Sequence, residues 1–391
     1  MTPPAPPEPA LLLATARPHA TEPALAQAIA LQPDWTAAID IALYHGTAGL
    51  LCRRVLDIVP DDLHSAMTAY LDSCGERQRI ATAELLELLD IFAQAGIPAL
   101  PFKGPAFASL AYPEPTLRPC IDLDLLIHER DITAVFAILE NRGFVSQYPD
   151  LLPDHRAAYH RYNGHDCLIA PGRAMIVEPH WQIAPPSFGV PLDTAALFRR
   201  ARPVALGGRS VPTLCPEDAL LVAALHASKE EWARLIWIAD IATLLATTPA
   251  PDAEAALARA TESGMRRMLL IGLALATDLL HAPCPAPFAA ALAHDPKSRQ
   301  LASLAAEHLW RQRQASSVYT LSPFRWFMRE RLRDRLRYAT ATLLTARVQH
   351  FQAVNLPRPL RGLYPLVRLG HDFIALPLWQ AIHGRDNRPP A

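Results

Sequence analysis

Two aspartates, Asp122 and Asp124, alternate along an otherwise apolar run, Ile121-Asp122-Leu123-Asp124-Leu125-Leu126-Ile127. On a strand, residues i and i+2 face the same way. Two carboxylates on one face repel each other, and a hydrophobic strand keeps such a pair most readily where a hard cation binds. Mg²⁺ takes oxygen ligands and is commonly held by one or two carboxylates together with substrate phosphates. The bland alternative is an edge strand with acids on its wet face, and a lone Asp-x-Asp would favour it. A second run, Val177-Glu178-Pro179-His180-Trp181, carries Glu178 and His180, again at i and i+2. If it lies beside the first, Glu178 becomes a third carboxylate over the same point. Three acids on adjacent strands can hold metal ions that clamp the attacking and leaving oxygens of a displacement at phosphorus. His180 would then touch phosphate or ligate the metal; otherwise it caps a strand end in solvent. Pro179 offers no N–H, so its strand should lie at an edge or an end there.

Upstream, Lys103-Gly104-Pro105 reads as a tight turn between a short strand and a helix. Glycine lets backbone approach a phosphate closely, and a helix N-terminus supplies N–H groups and positive potential. Lysine suits an anionic triphosphate as a point charge. Arg118, three residues before Ile121, could bind phosphate from its loop, or be an ordinary surface arginine.

The elements that must position these residues follow from periodicity. Leu11 to Ala95 is helical in pattern, closed by Gly96-Ile97-Pro98. Ala99 to Phe102 predicts a strand, and Ala106 to Tyr112 a helix with Pro105 at its first turn. Ile121 to Ile127 has strand length, and Asp131 to Asn141 reads as a helix with Gly143 just beyond it. His165–Ala170 and Ala174–Trp181 predict two strands around Pro171-Gly172. Gly207-Gly208 between two short β-like runs signals a hairpin. From Pro216 the chain is helical again, with Leu220 to Leu245 as one long amphipathic helix. The domain expectation is a disordered Pro-rich tail at 1–10, a helical region at 11–96 and an α/β core at 97–190. A β-hairpin connection at 191–215 and a helical domain with a basic end at 216–391 complete it.

The stretch LPFKGPAFASLAYPEPTLRPCIDLDLLI resembles the signature of the uncharacterised nucleotidyltransferases, a bacterial branch of the DNA-polymerase-β-like nucleotidyltransferase superfamily. The matching positions are Lys103 and Gly104, Tyr112 and Pro113, Arg118 and Pro119, Asp122 and Asp124, then Glu178, His180 and Trp181. His226, Trp232, Trp237 and Asp240 in the downstream helix also match. The resemblance is dense over 97–245 and looser elsewhere. It implies an α+β fold, a small mixed-sheet core flanked by N-terminal and C-terminal helical domains. It also implies metal-dependent transfer of a nucleoside monophosphate from a nucleoside triphosphate, with Mg²⁺ (or Mn²⁺) as the ion and ATP among the donors. Asp122, Asp124 and Glu178 would take the metal and base roles, and Lys103, Gly104, Arg118 and His180 the nucleotide. Two departures stand out: Lys103-Gly104-Pro105 replaces the Gly-Ser turn of many superfamily members, and Glu230 stands where a second histidine often follows the first.

His226 and Asp240 are 14 positions apart, close to four helical turns, and would share a helix face. They make either an internal polar contact or part of an acceptor pocket. Trp232 and Trp237 read as core, Lys229 and Lys297 as surface residues. His165 and Asp166 open a strand pointing at the same region.

Composition bounds the function. The chain has 391 residues, 51% hydrophobic and 19% charged, with a net charge of −1. That excludes a disordered chain and argues against wholesale coating of nucleic acid. Six cysteines without a CxxC pair exclude a zinc ribbon, and read as buried small apolar groups. The longest apolar helix-like stretch falls short of the roughly 20 residues needed to span a membrane, so a soluble, cytoplasmic protein is expected. Residues 321–391 hold 12 arginines and four acids, six of the arginines between Arg325 and Arg337. These predict an exposed helix paired with the acidic remainder, or a surface for nucleic acid, anionic lipid or an acidic partner. RNA binding is possible but not favoured. The alternative to an enzyme is a non-catalytic nucleotide-sensing or partner-docking protein. The acceptor is not legible.

Overall fold

The strand that carries the two aspartates is the second of five in one mixed sheet. The computed structural model describes residues 7–19, 21–148, 151, 153–311, 317 and 319–375. In chain order, α1 (Pro7–Ala16), α2 (Glu22–Ala30), α3 (Trp35–His45), α4 (Ala48–Val55) and the long α5 (Asp61–Gln94) lead to β1 (Ala99–Pro101). Then come α6 (Gly104–Ala111), β2 (Asp122–Ile127), α7 (Ile132–Asn141), β3 (Val145–Ser146), α8 (Pro153–Tyr162), β4 (Leu168–Ile169) and β5 (Ile176–His180). Next are α9 (Thr194–Arg200), the hairpin β6 (Arg202–Leu206) and β7 (Arg209–Thr213), α10 (Pro216–Lys229) and α11 (Leu235–Leu245). The remaining helices are α12 (Ala253–Glu262), α13 (Arg266–Leu280), α14 (Ala286–Ala293), α15 (Pro296–Leu309), α16 (Pro323–Phe327), α17 (Leu332–Leu344), α18 (Val348–Ala353) and α19 (Tyr364–Gly370).

The sheet order is β1-β2-β5-β4-β3, with β2 and β5 parallel and the other pairs antiparallel. The α+β expectation, a small mixed sheet among helices, therefore holds. Alternation along β2 decides the rest. Leu123, Leu125 and Ile127 are fully buried in a core with Leu85, Leu88 and Phe92 of α5 and Val135, Phe136 and Leu139 of α7. Each such side chain contributes about 1.5–3 kcal/mol by leaving water. A one-residue slip would take all of them out of this core and put the aspartates into it, so register is fixed and the aspartates must face the other way. That other face carries Leu126, which belongs to a second, larger core with α10, α11 and α13. The N-terminal helices α1, α3 and α4 contribute to the same larger core.

Several boundaries differ from expectation. The Pro-rich opening, expected to be disordered to residue 10, is helical from Pro7; residues 1–6 lie outside the described residues. The connection at 191–215 holds α9 as well as the hairpin. The long helix expected over Leu220–Leu245 is two helices. Glu231 and Trp232 take positive φ, and the Trp232 N–H donates to Ala227 O at 2.8 Å to close α10. The break buries the Trp232 indole completely against Gly272 of α13, where a Cβ would come within 2.5 Å of the ring. Tertiary packing overrides local helix propensity here. Pro179 sits on a central strand, one residue before its end.

The arginine-rich segment is not a uniformly exposed face. Arg325 and Arg329 are buried, and they serve backbone carbonyls. Arg325 donates to Ser317 O at 2.8 Å and Lys229 O at 2.7 Å. Arg329 donates to Phe188 O and stacks between the Phe188 and Tyr338 rings. These arginines tie α16 and α17 to the core; Arg385 and Arg388 of the basic end lie outside the described residues. Among the described residues no helix is long and apolar enough to cross a membrane.

Candidate active site

The parallel pairing of β2 with β5 sets Asp124 opposite Glu178 in register. This is the juxtaposition the sequence left conditional. Asp124 is fully buried. Its Oδ1 accepts from Lys103 Nζ at 3.0 Å, and His180 Nε2 lies 2.9 Å away without hydrogen-bond alignment. His180 Nε2 is also 3.4 Å from Glu178 Oε2, and its Nδ1 contacts Gln182 O at 3.2 Å. Asp124 Oδ2 is buried with no hydrogen-bond partner among the described residues. One ligand atom from each of Asp124, Glu178 and His180 falls within 4.8 Å of the others.

Electrostatics follow from this crowding. Burial raises the Asp122 carboxyl to about 6, helped by the Asp124 charge. Burial would raise Asp124 too, but Lys103 and His180 outweigh it and hold its carboxyl well below the usual range. Burial would lower His180, yet Asp124 and Glu178 raise it. Lys103 is likewise raised, because Asp124 and Asp122 outweigh its burial. The cluster therefore balances its acids with one lysine and one histidine. An unpaired buried carboxylate oxygen beside two further carboxylates fits a hard divalent cation.

Lys103 and Gly104 enter through the strand-to-helix turn. Gly104 has φ +57°, and a Cβ there would lie 3.2 Å from Asp122 O and 3.3 Å from Cys120 Sγ. Glycine is thus required where the α6 N-terminus meets β2. Cys120 Sγ donates to Asp122 O at 3.2 Å, and burial pushes its thiol up to about 12.

Arg118 and Asp240, expected on phosphate and on an acceptor pocket, are found together. Arg118 donates bidentately to Asp240, Nε to Oδ1 at 2.9 Å and Nη2 to Oδ2 at 3.0 Å. Tyr112 Oη donates to the same Oδ1 at 2.7 Å. The group is buried, and it locks the loop before β2 to α11. His226 does not share a helix with Asp240. It lines a small cavity of ≈ 40 Å³ with Lys103, His165, Glu178, His180 and Lys229. Its ring stands edge-on to Trp237 at 5.3 Å, and burial, then Lys103, hold it well below its usual range.

Two further residues line this cavity, and of them only His165 was expected to point this way. Lys229, expected at the surface, lines the cavity beside Lys103. Its signal was scarcity, because the chain has only three lysines and two of them converge here. His165 stacks on His180 with ring centroids 4.6 Å apart and 8° between planes, and burial, then His180, hold it neutral. Its partner in sequence, Asp166, turns away to Ser146 and His160. All six cysteines are free, and all but the half-buried Cys284 are buried.

A small mixed sheet thus presents carboxylates from two parallel strands beside a lysine-glycine turn. The chain belongs to the family described as "Uncharacterised nucleotidyltransferase", which it matches over residues 32–281. That membership assigns it to transferases acting with nucleotides in general. No curated protein and no solved structure matches the chain.

Proposed function

We propose that this protein moves a nucleoside monophosphate from a nucleoside triphosphate to an acceptor, in a reaction that needs Mg²⁺ or Mn²⁺. The observation that carries this is the in-register pair Asp124 and Glu178, with Asp124 Oδ2 buried and unpaired. Asp122, Asp124 and Glu178 would hold the ion, which when bound neutralises charge developing on the phosphoryl oxygens. Lys103 and the N–H groups at the start of α6 bind the triphosphate. Lys229, which lines the same cavity as Lys103 and is 3.2 Å from Glu230 Oε1, gives the phosphates a second cation. His180 orients Asp124 and Glu178 from between them. Glu178, whose side chain is 21% exposed against 0% for Asp124, is open to an acceptor where Asp124 is not, and takes its hydroxyl proton. Arg118 acts at one remove, by fixing the loop that leads into β2. The cytoplasm is the compartment proposed.

The test is calorimetric titration of ATP, GTP, CTP and UTP, with and without Mg²⁺, into the protein and into Asp124→Asn. Metal-dependent binding of a nucleotide, lost in the variant while thermal unfolding persists, is the expected result. In Lys229→Met that affinity should drop by about 10- to 150-fold, one lost charge-assisted contact being worth about 1.5–3 kcal/mol. Nucleotide binding indifferent to metal and to Asp124 would favour a non-catalytic, nucleotide-sensing role instead.

A further inference from the structure

Tyr112 and Pro113 belong to the signature stretch but take no part in the acid cluster. They stand at the opposite end of α6 from Gly104, about 10 Å away at 1.5 Å per residue. There they wall a cavity of ≈ 660 Å³, far larger than the one at the acids. Its floor is aliphatic, built from Leu50, Leu110, Leu117 and Ala246. Thr15, Thr243 and Thr247 add hydroxyl-bearing side chains, and Arg17, Arg53 and Arg54 ring it.

Charge at this rim is unbalanced. Arg53 is paired with Glu114, its Nε 2.9 Å from Oε2. Arg17 and Arg54 have no carboxylate partner among the described residues, and Arg17 Nε is buried without any hydrogen-bond partner. A buried donor left unpaired costs free energy that a ligand acceptor can recover. These guanidiniums lie in a part of the chain, residues 1–320, whose net charge is −9 by difference from the total of −1 and the +8 of residues 321–391. Arg54 is exposed and Arg17 half-buried, so both guanidiniums stand at the mouth of the aliphatic hollow with no carboxylate to neutralise them among the described residues. The volume lies within the roughly 300–1,000 Å³ usual for small-molecule sites.

We propose that this cavity binds an amphiphilic organic anion, a single phosphate or carboxylate on an aliphatic body, separately from the acid cluster. The anion sits against Arg17 and Arg54, and the body lies on Leu50, Leu110, Leu117 and Ala246. Among the described lining residues the rings are the buried Tyr112 and the His19 imidazole, with no Trp or Phe to serve as the broad stacking platform a nucleobase would use. The Tyr112 hydroxyl on the cavity wall points away to the Arg118–Asp240 pair, to which it donates.

The experiment is calorimetric titration of octyl phosphate, below its micellar concentration, into the full chain. Inorganic phosphate and 1-octanol serve as the two halves of the probe. Saturable binding of octyl phosphate, at least tenfold tighter than either half, is expected. Arg17→Met/Arg54→Met should weaken it at least tenfold, and Ala246→Phe should obstruct the aliphatic side of the cavity and weaken it likewise; thermal melts check that both variants fold. Asp124→Asn should bind octyl phosphate as the unaltered chain does, which keeps this test independent of the transferase reading. Absence of saturable binding, equal binding in a folded arginine double variant, or loss in Asp124→Asn would overturn the proposal.

Discussion

Two buried aspartates, Asp124 and Asp240, meet basic groups in opposite ways. Asp240 is saturated: one oxygen takes Arg118 and Tyr112, the other takes Arg118 again. Asp124 is not. One of its oxygens is crowded by Lys103 and His180, and the other has no partner. Asp122 and Glu178 press on Asp124 from the same sheet face. A buried charge with a full set of partners fixes shape. A buried charge with an orphan oxygen and like-charged neighbours is costly to the fold, and points to a ligand that resolves it. The two sites are linked by one short stretch, from α6 to β2, so the saturated one holds the unsaturated one in place.

The sharpest way to break this contrast is Asp240→Asn. It leaves the Arg118 guanidinium buried without its counter-charge, and removing one partner of a buried pair costs about 3–5 kcal/mol. Urea unfolding should register that loss with no metal or nucleotide present; a change under about 1 kcal/mol would show that the pair is not structural. The clamp region has a second sensitive contact. His45 is buried, and its Nδ1 accepts the Leu235 N–H, the first of α11, at 3.2 Å. Burial, then Arg234, lower His45 to about 4. The unfolded chain takes up this proton near pH 6.5 and the folded chain does not until about pH 4. Stability should therefore fall as pH drops through that window, by about 3 kcal/mol in full, and be unaffected above it. In His45→Gln this component of the slope should vanish; an unchanged slope would assign it to other groups.

On the acid side the expected sign reverses. The Asp122 carboxyl is raised to about 6 by burial and by Asp124, so its charged form burdens the fold. Above pH 6 the folded state holds this carboxylate ionised at a penalty that is absent below pH 4. Asp122→Asn at pH 8, in chelator, should stabilise the protein by about 1–3 kcal/mol. The same variant should lose metal-dependent nucleotide binding. Destabilisation instead would mean that Asp122 is paired as Asp240 is, and the contrast would fail.

The legible part of this molecule is what local pattern encodes. The alternation at Asp122 to Ile127 marks the strand, its apolar face and the shared direction of the acids, because one slip would take Leu123, Leu125 and Ile127 out of their core and put the aspartates into it. The run at Glu178 gave a strand but not its neighbour; only the fold could decide that β5 pairs with β2. The fate of Arg118 was hidden because its partner lies 122 positions away on α11. The break before α11 was hidden because it depends on a cavity beside Gly272 that receives the Trp232 ring. Lys229 illustrates the reverse case: rarity in composition marked it, but its sequence neighbours suggested only a solvated helix end.

The smallest expected effect concerns the turn that joins the two regions. Gly104 combines a positive φ with backbone and sulfur within 3.3 Å of where a Cβ would stand. In Gly104→Ala the left-handed conformation alone costs about 1–2 kcal/mol. The added methyl must also push Asp122 O or Cys120 Sγ outward, and both belong to the loop and strand that carry the first aspartate. Stability and site geometry should therefore move together in this variant, unlike Asp240→Asn, where the first loss is structural, or Asp122→Asn, where the fold gains. The measurement is urea unfolding alongside metal-dependent nucleotide binding. If Gly104→Ala lowers stability by about 1–2 kcal/mol and leaves nucleotide affinity unchanged, the turn is a hinge of the fold only. If affinity falls more than tenfold as well, the close approach of α6 to β2 is what keeps the acid cluster and the lysine at working distance.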